Sequence, residues 1–284
     1  MRNASSTGWN SPEGFPLLRH ALSAASLPAV LVVFLLQVVS SSAMAADSKV
    51  TNGTQVGGIP RTASGKPDLS GIWQTLSPAD GDIEPHHARK DTPAGLGIVE
   101  GGVIPYQPWA LAKKKENFEN RETLDPRNKC FMPGVPRITY TPLPFQIFQS
   151  DKDLTFIYEY AHTLRTVRTD GSKHPTEYES GINELWMGDS RGRWEGDTLV
   201  VDVVNFNDQT WFDHSGNFHS ENLHVVERYS LIDADHIQYV ATIEDPKVFT
   251  KPWNINLVLY RHKEKNIQLL EYECYTFDFE QFYP

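Results

Sequence analysis

From residue 145 onward the chain alternates. In HIQYVATIE (236–244), Ile237, Tyr239, Ala241 and Ile243 fall on one face of an extended chain and Gln238, Thr242 and Glu244 on the other, the period of two that marks a half-buried strand. PFQIFQS, DLTFIYEY, TLRTVRTD, GRWE, DTLVVDVVNF, LHVVERYSL, INLVLYRH and NIQLLEYECY are short runs of the same kind, rich in β-branched and aromatic residues. Turn signals separate them: Ser150-Asp151-Lys152-Asp153, Asp170-Gly171, Glu195-Gly196-Asp197, Asp233-Ala234-Asp235 and Lys263-Glu264-Lys265-Asn266. Short links favour antiparallel neighbours, so the pattern predicts a meander. Nine or ten such strands must either close into a barrel or split into a sandwich to dispose of their edges, and a closed β-barrel is expected. DTLVVDVVNF is apolar on both faces apart from Asp202 and Asn205, which predicts cover from outside.

Upstream the pattern changes. PDLSGIWQ predicts the first strand, and the stretch after it is broken by Gly81, Pro85, Pro93, Gly95, Gly97, Gly101 and Gly102, with His86-His87 among them. Pro108 suits a first helical turn, and WALAKKKENFENRE predicts one helix with Trp109, Leu111 or Ala112, and Phe118 on one side. Five prolines between Asp125 and Pro144 predict an irregular strap. Residues 46–66 are polar, Gly-rich and aperiodic, a linker. Before them, Arg2 and Arg19, the apolar run LPAVLVVFLLQVV and Ala43-Met44-Ala45 read as a signal peptide over 1–45, cut after Ala45. Residues 67–284 then form a single domain, mainly β, an antiparallel meander closing into a barrel with one helix and a long Pro/Gly-rich insertion.

Charge narrows the partners. The full chain carries a formal net charge of −10, and its only basic run is Lys113-Lys114-Lys115, which argues against nucleic acid. With the leader removed, no membrane association is expected, and the localisation is periplasmic or secreted. In an oxidising compartment the two cysteines, Cys130 and Cys274, are disulfide candidates, joining the strap to the last strand; two free buried thiols are the alternative.

Gly71-Ile72-Trp73 resembles the G-x-W of the lipocalin and calycin barrels, where the tryptophan closes one barrel end. The stretches GKPDLSGIW, CFMPGVPR, GDSRGRWEGDTLVVD, HSENLHVVER and DPKVFTKPW together look like a widespread family of exported bacterial proteins, over most of residues 60–276. That likeness implies compartment and a bacterial source. The insertion between Trp73 and Phe145 has no lipocalin counterpart, and no catalytic residue carries over.

Candidate chemistry gathers in DHSGNFHSENLHVVER (213–228). His214, His219 and His224 are spaced by five, which no helix or strand converges, so a metal would need a loop to fold two of them back, with Asp213 or Glu221; no metal and no cofactor is expected. Proton transfer needs less geometry. Period two puts His224 on one face with Val226 and Arg228, and Glu159 with Arg165 if that strand is continuous. Asp202, in an apolar strand, needs a partner. No G-x-S-x-G, P-loop or G-x-G-x-x-G is present.

The sequence therefore predicts an exported, cofactor-independent enzyme doing acid–base chemistry on a small, partly apolar molecule in a barrel pocket, of isomerase, cyclase, dehydratase or lyase type. His224 would be acid or base, Asp202 or Glu159 its partner, and Arg228 and Arg165 the anion stabilisers. His214, His219, Trp211, Phe212 and Tyr260 would line the substrate site. The alternative is a lipocalin-like carrier of an apolar ligand that does no chemistry.

Overall fold

The computed structural model describes residues 58–176, 185–272 and 274. The leader (1–45) and most of the linker therefore lie outside the described residues. Nine strands close into one barrel in chain order: β1 (Gly71–Thr75), β2 (Phe145–Gln149), β3 (Asp153–Tyr158), β4 (Leu164–Arg168), β5 (Asp189–Glu195), β6 (Thr198–Val204), β7 (His224–Asp233), β8 (His236–Glu244) and β9 (Trp253–Arg261). Closure comes from β1 pairing antiparallel with both β2 and β9. Alternation works as anticipated: Leu154, Phe156 and Tyr158 of β3, Val225, Glu227 and Tyr229 of β7, and Ile237, Tyr239, Ala241 and Ile243 of β8 are all buried.

Several expectations need correction. The meander is not wholly antiparallel, since β4 and β5 meet in parallel at Arg168 and Arg191. The Asp170-Gly171 signal begins the long connection 169–188 rather than a hairpin, which lets the chain re-enter in the same direction. NIQLLEYECY forms no strand over its described residues. With β1 already on β9, no edge remains to receive a tenth; instead Leu270 N donates to Glu159 Oε2 at 2.8 Å and Cys274 comes to disulfide distance of Cys130, with Cα atoms 5.5 Å apart. The described end of the linker is held as well: Arg61 clasps both oxygens of Asp197 on the β5–β6 turn, at 2.9 and 2.6 Å.

Three helices rather than one are found among the described residues: α1 (Pro108–Glu119), α2 (Arg121–Leu124) and α3 (Arg137–Tyr140), with a 3-10 turn at Pro126–Lys129 between the last two. The strap thus contains short helical turns. Helix α1 buries Ala110 and Asn117 and leaves Trp109 and Leu111 exposed, the reverse of its expected apolar side. Its neighbour is polar backbone: Asn117 Nδ2 donates to Gly216 O at 3.2 Å, and Gly216, at φ +82°, has Asn117 Cβ 2.7 Å from where its own Cβ would stand.

The G-x-W has a local role. Gly71 sits at φ +135°, and any side chain there would collide with the Arg261 guanidinium, which lies over the Trp73 ring at 4.2 Å. Arg261 also donates to Ser70 O and Ala234 O, at 2.5 and 2.8 Å, fastening the segment before β1 to the β7–β8 turn.

Candidate functional site

The barrel interior holds a buried ion pair. Arg165 of β4 and Glu227 of β7 bond through the two terminal guanidinium nitrogens; Arg165 Nε donates to Ser190 Oγ at 3.0 Å, and the hydroxyls of Tyr229 and Tyr239 each donate to Glu227 Oε1 at 2.9 Å. Phe145, Phe156 and Tyr158 stack beside them. Burial and the Glu227 charge push both tyrosines well above their ordinary pKa, so they remain donors.

The structure separates the other sequence-predicted residues. His224 and Arg228 face outward on β7, not into the lumen. His224 Nε2 donates to Asp202 Oδ1 at 2.5 Å, with Glu244 3.5 Å from its other nitrogen, and Arg228 pairs with Glu195 at 2.9 Å. Glu159 and Arg165 do not share a face, because the 3-10 turn Tyr160–His162 interrupts the strand; Glu159 caps the chain at Leu270 instead. His219 is buried, donating from Nδ1 to Ser220 O at 2.9 Å and accepting the Thr210 hydroxyl at Nε2 at 2.6 Å. Burial lowers its pKa, and it is held neutral. Trp211 and Phe212 are core residues, Phe212 packing on His219 and Trp253, whereas Tyr260 is exposed on β9 beside His236.

Of the three histidines in the 213–228 stretch, His214 is the one that reaches a cleft. An opening of about 560 Å³ at the end of β1 is walled by Leu76, Pro78 and Pro142 on the apolar side and by Asp80, Asp91, Glu122, Arg127 and His214 on the polar side. His214 is placed from two directions. Its backbone N–H donates to Asp80 O at 2.8 Å, and its ring Nδ1 donates to Asp125 Oδ2 at 2.8 Å. Since Nδ1 carries that proton, the neutral ring offers a bare lone pair at Nε2. This nitrogen faces Glu122 Oε1 at 3.8 Å and Asp91 Oδ2 at 3.9 Å.

Behind His214 the network is dry and overdetermined. Asp125 caps the 3-10 turn by accepting from Arg127 N at 3.0 Å and takes two bonds from Arg137, at 2.8 and 2.9 Å. Arg137, on α3, reaches Asp80 with its Nε at 2.9 Å. Burial opposes ionisation of Asp125, but the Arg137 charge and the bonds from His214, Arg137 and Arg127 overcome it and hold the carboxyl well below the usual range. Next along, Asp213 is fully buried and accepts from Ile83 N (2.9 Å) and twice from Asn217 (3.1 and 2.6 Å). Burial and the nearby Asp82 push it up to about 7 against those donors.

Sequence reasoning missed Asp80, Asp91, Asp125 and Arg137 in the stretches read as loop and strap, and Glu122 at the end of the stretch read as helix. The available signal was charge of both signs, Asp125, Arg127 and Arg137, within one Pro-rich stretch. A mainly β, closed mixed barrel carrying an Asp–His pair on an acidic cleft is what fold and site define. No family model matches the chain, and neither does any curated protein or solved structure.

Proposed function

We propose that the protein is an exported enzyme that moves protons on a small, partly apolar molecule without an organic cofactor, as isomerases, cyclases, dehydratases and lyases do, and that the reaction takes place in the cleft rather than the lumen. The observation that carries this reading is the Asp125–His214 hydrogen bond. It fixes the tautomer, aims Nε2 at the cleft and stabilises the imidazolium that forms when Nε2 takes a proton. Glu122 and Asp91 supply carboxylates on the same wall, and Leu76, Pro78 and Pro142 supply apolar contact. A carrier would have to admit its ligand among Phe145, Phe156, Tyr158 and the Arg165–Glu227 pair, so the cleft is the better supported site. Export is supported by the leader pattern, the resemblance to exported bacterial proteins and the cysteine pair at disulfide distance.

The test is a substrate screen by mass spectrometry, with wild type and His214→Gln incubated in parallel with small hydroxy, keto and lactone compounds. We expect a compound converted by the wild type to an isomer, or to a product differing by water, and left intact by His214→Gln. Equal conversion by both proteins, or no conversion by either, would count against the reading.

A further inference from the structure

We propose that His214 Nε2, Glu122 and Asp91 form a binding site for one divalent transition-metal cation, zinc being the best match. The three ligand atoms, one imidazole nitrogen and two carboxylate oxygens, lie within 4.8 Å of one another. In a tetrahedral zinc site with bonds of about 2.0–2.2 Å, ligand atoms stand roughly 3.4 Å apart. His214 Nε2 is 3.8 Å from Glu122 and 3.9 Å from Asp91, so each carboxylate needs to come only a short way toward the imidazole to share a cation with it.

The imidazole makes this more than a group of acids. Its Nδ1–H is committed to Asp125, outside the cluster, and Asp125 is itself clamped by the buried Arg137. A carboxylate behind the ring, fixing the tautomer so that the other nitrogen presents its lone pair, is the arrangement found behind metal-bound histidines. Glu122 is available: among the described residues no Arg or Lys pairs with its carboxylate, and its side chain is 70% exposed. Asp91 is less free, since Arg121 reaches the same Oδ2 with both Nε at 2.7 Å and Nη2 at 2.5 Å; the cation would share that carboxylate with the guanidinium. One nitrogen and two oxygens suit zinc or manganese better than calcium, which takes oxygen ligands. The open cleft leaves further positions on the cation to water or a ligand.

The site stands on this geometry alone. Its consequence rests on the activity proposed above: a cation on Nε2 occupies the lone pair that proton transfer uses, so zinc would inhibit.

The experiment is calorimetric titration of the full-length purified protein with zinc chloride, paired with visible absorption of the cobalt(II) form. Wild type should bind one zinc per chain, and cobalt should show the bands of a low-coordinate N/O site. Glu122→Gln, at an exposed position that leaves folding intact, should weaken binding about tenfold or more, the penalty of disturbing even a ligand's hydrogen-bond partner. His214→Gln should abolish it, and His87→Ala, at an exposed histidine, should leave it unchanged. No zinc binding by wild type, or undiminished binding by either Glu122→Gln or His214→Gln, overturns the site. The two proposals fail separately: His214-dependent turnover with no zinc bound removes only the cation site, and zinc bound through His214 with no turnover removes only the activity.

Discussion

Two buried arginine–carboxylate networks, Arg165–Glu227 in the lumen and Arg137–Asp125 under the cleft, are built from the same chemistry and end differently. In the lumen every terminus is a tyrosine, a serine or an aromatic ring, so the charges are matched and sealed. Under the cleft the network ends on an imidazole whose second nitrogen meets solvent. A buried charge pair is thus no mark of function in itself. An accessible titratable atom held in place by one is a better mark.

The comparison can be broken most sharply at Glu227. Glu227→Gln leaves Arg165 charged in a dry interior, and breaking a buried pair in this way costs about 3–5 kcal/mol. Denaturant unfolding should show a loss of that size. A loss below about 1 kcal/mol would mean water reaches the lumen pair.

Asp213 predicts a pH dependence with a definite sign. Its pKa, about 7 in the folded protein, lies above that of an unfolded aspartate, near 3.9. The native state therefore binds the extra proton between those values, and the stabilisation is complete below about pH 4, declines as pH rises and is gone above about pH 7. Unfolding measured with EDTA present should show stability falling by at most about 1.4 kcal/mol per pH unit across that window. Asp213→Asn should flatten the slope; an unchanged slope would assign it to another group.

His214→Gln should cost about 1.5–3 kcal/mol, one hydrogen bond to a charged carboxylate, because Asp125 keeps Arg137. A melting loss comparable to that of Glu227→Gln would make His214 a structural member like the lumen pair. Smallest of all, Arg228→Ala on the outer face should change stability by less than about 1 kcal/mol, the range of an exposed ion pair.

How much of this was legible follows from what a period of two can and cannot say. It put His224 on one face with Val226 and Arg228 correctly, since adjacent side chains in a strand must point to opposite faces. It could not say which face was the lumen, and the choice of His224 followed its histidine rather than the apolar neighbours, Val225 and Tyr229, that mark the inside. Asp202 was expected to need a partner and has one in His224, although on the outer surface. The cleft was the least legible part. Asp80, Asp125 and His214 lie on irregular segments and Arg137 on the one-turn helix α3, and their meeting depends on turns such as Pro126–Lys129 and on single capping bonds, which carry no periodic signal. His214 was singled out only as a loop residue at a barrel mouth.

One consequence of the pairing of Cys130 with Cys274 concerns a cut chain. The two sit 144 positions apart in sequence, a span that contains β2 through β9. When the disulfide is formed, a protease that nicks any loop within that span yields two pieces still joined by sulfur, running as one species until a reductant is added.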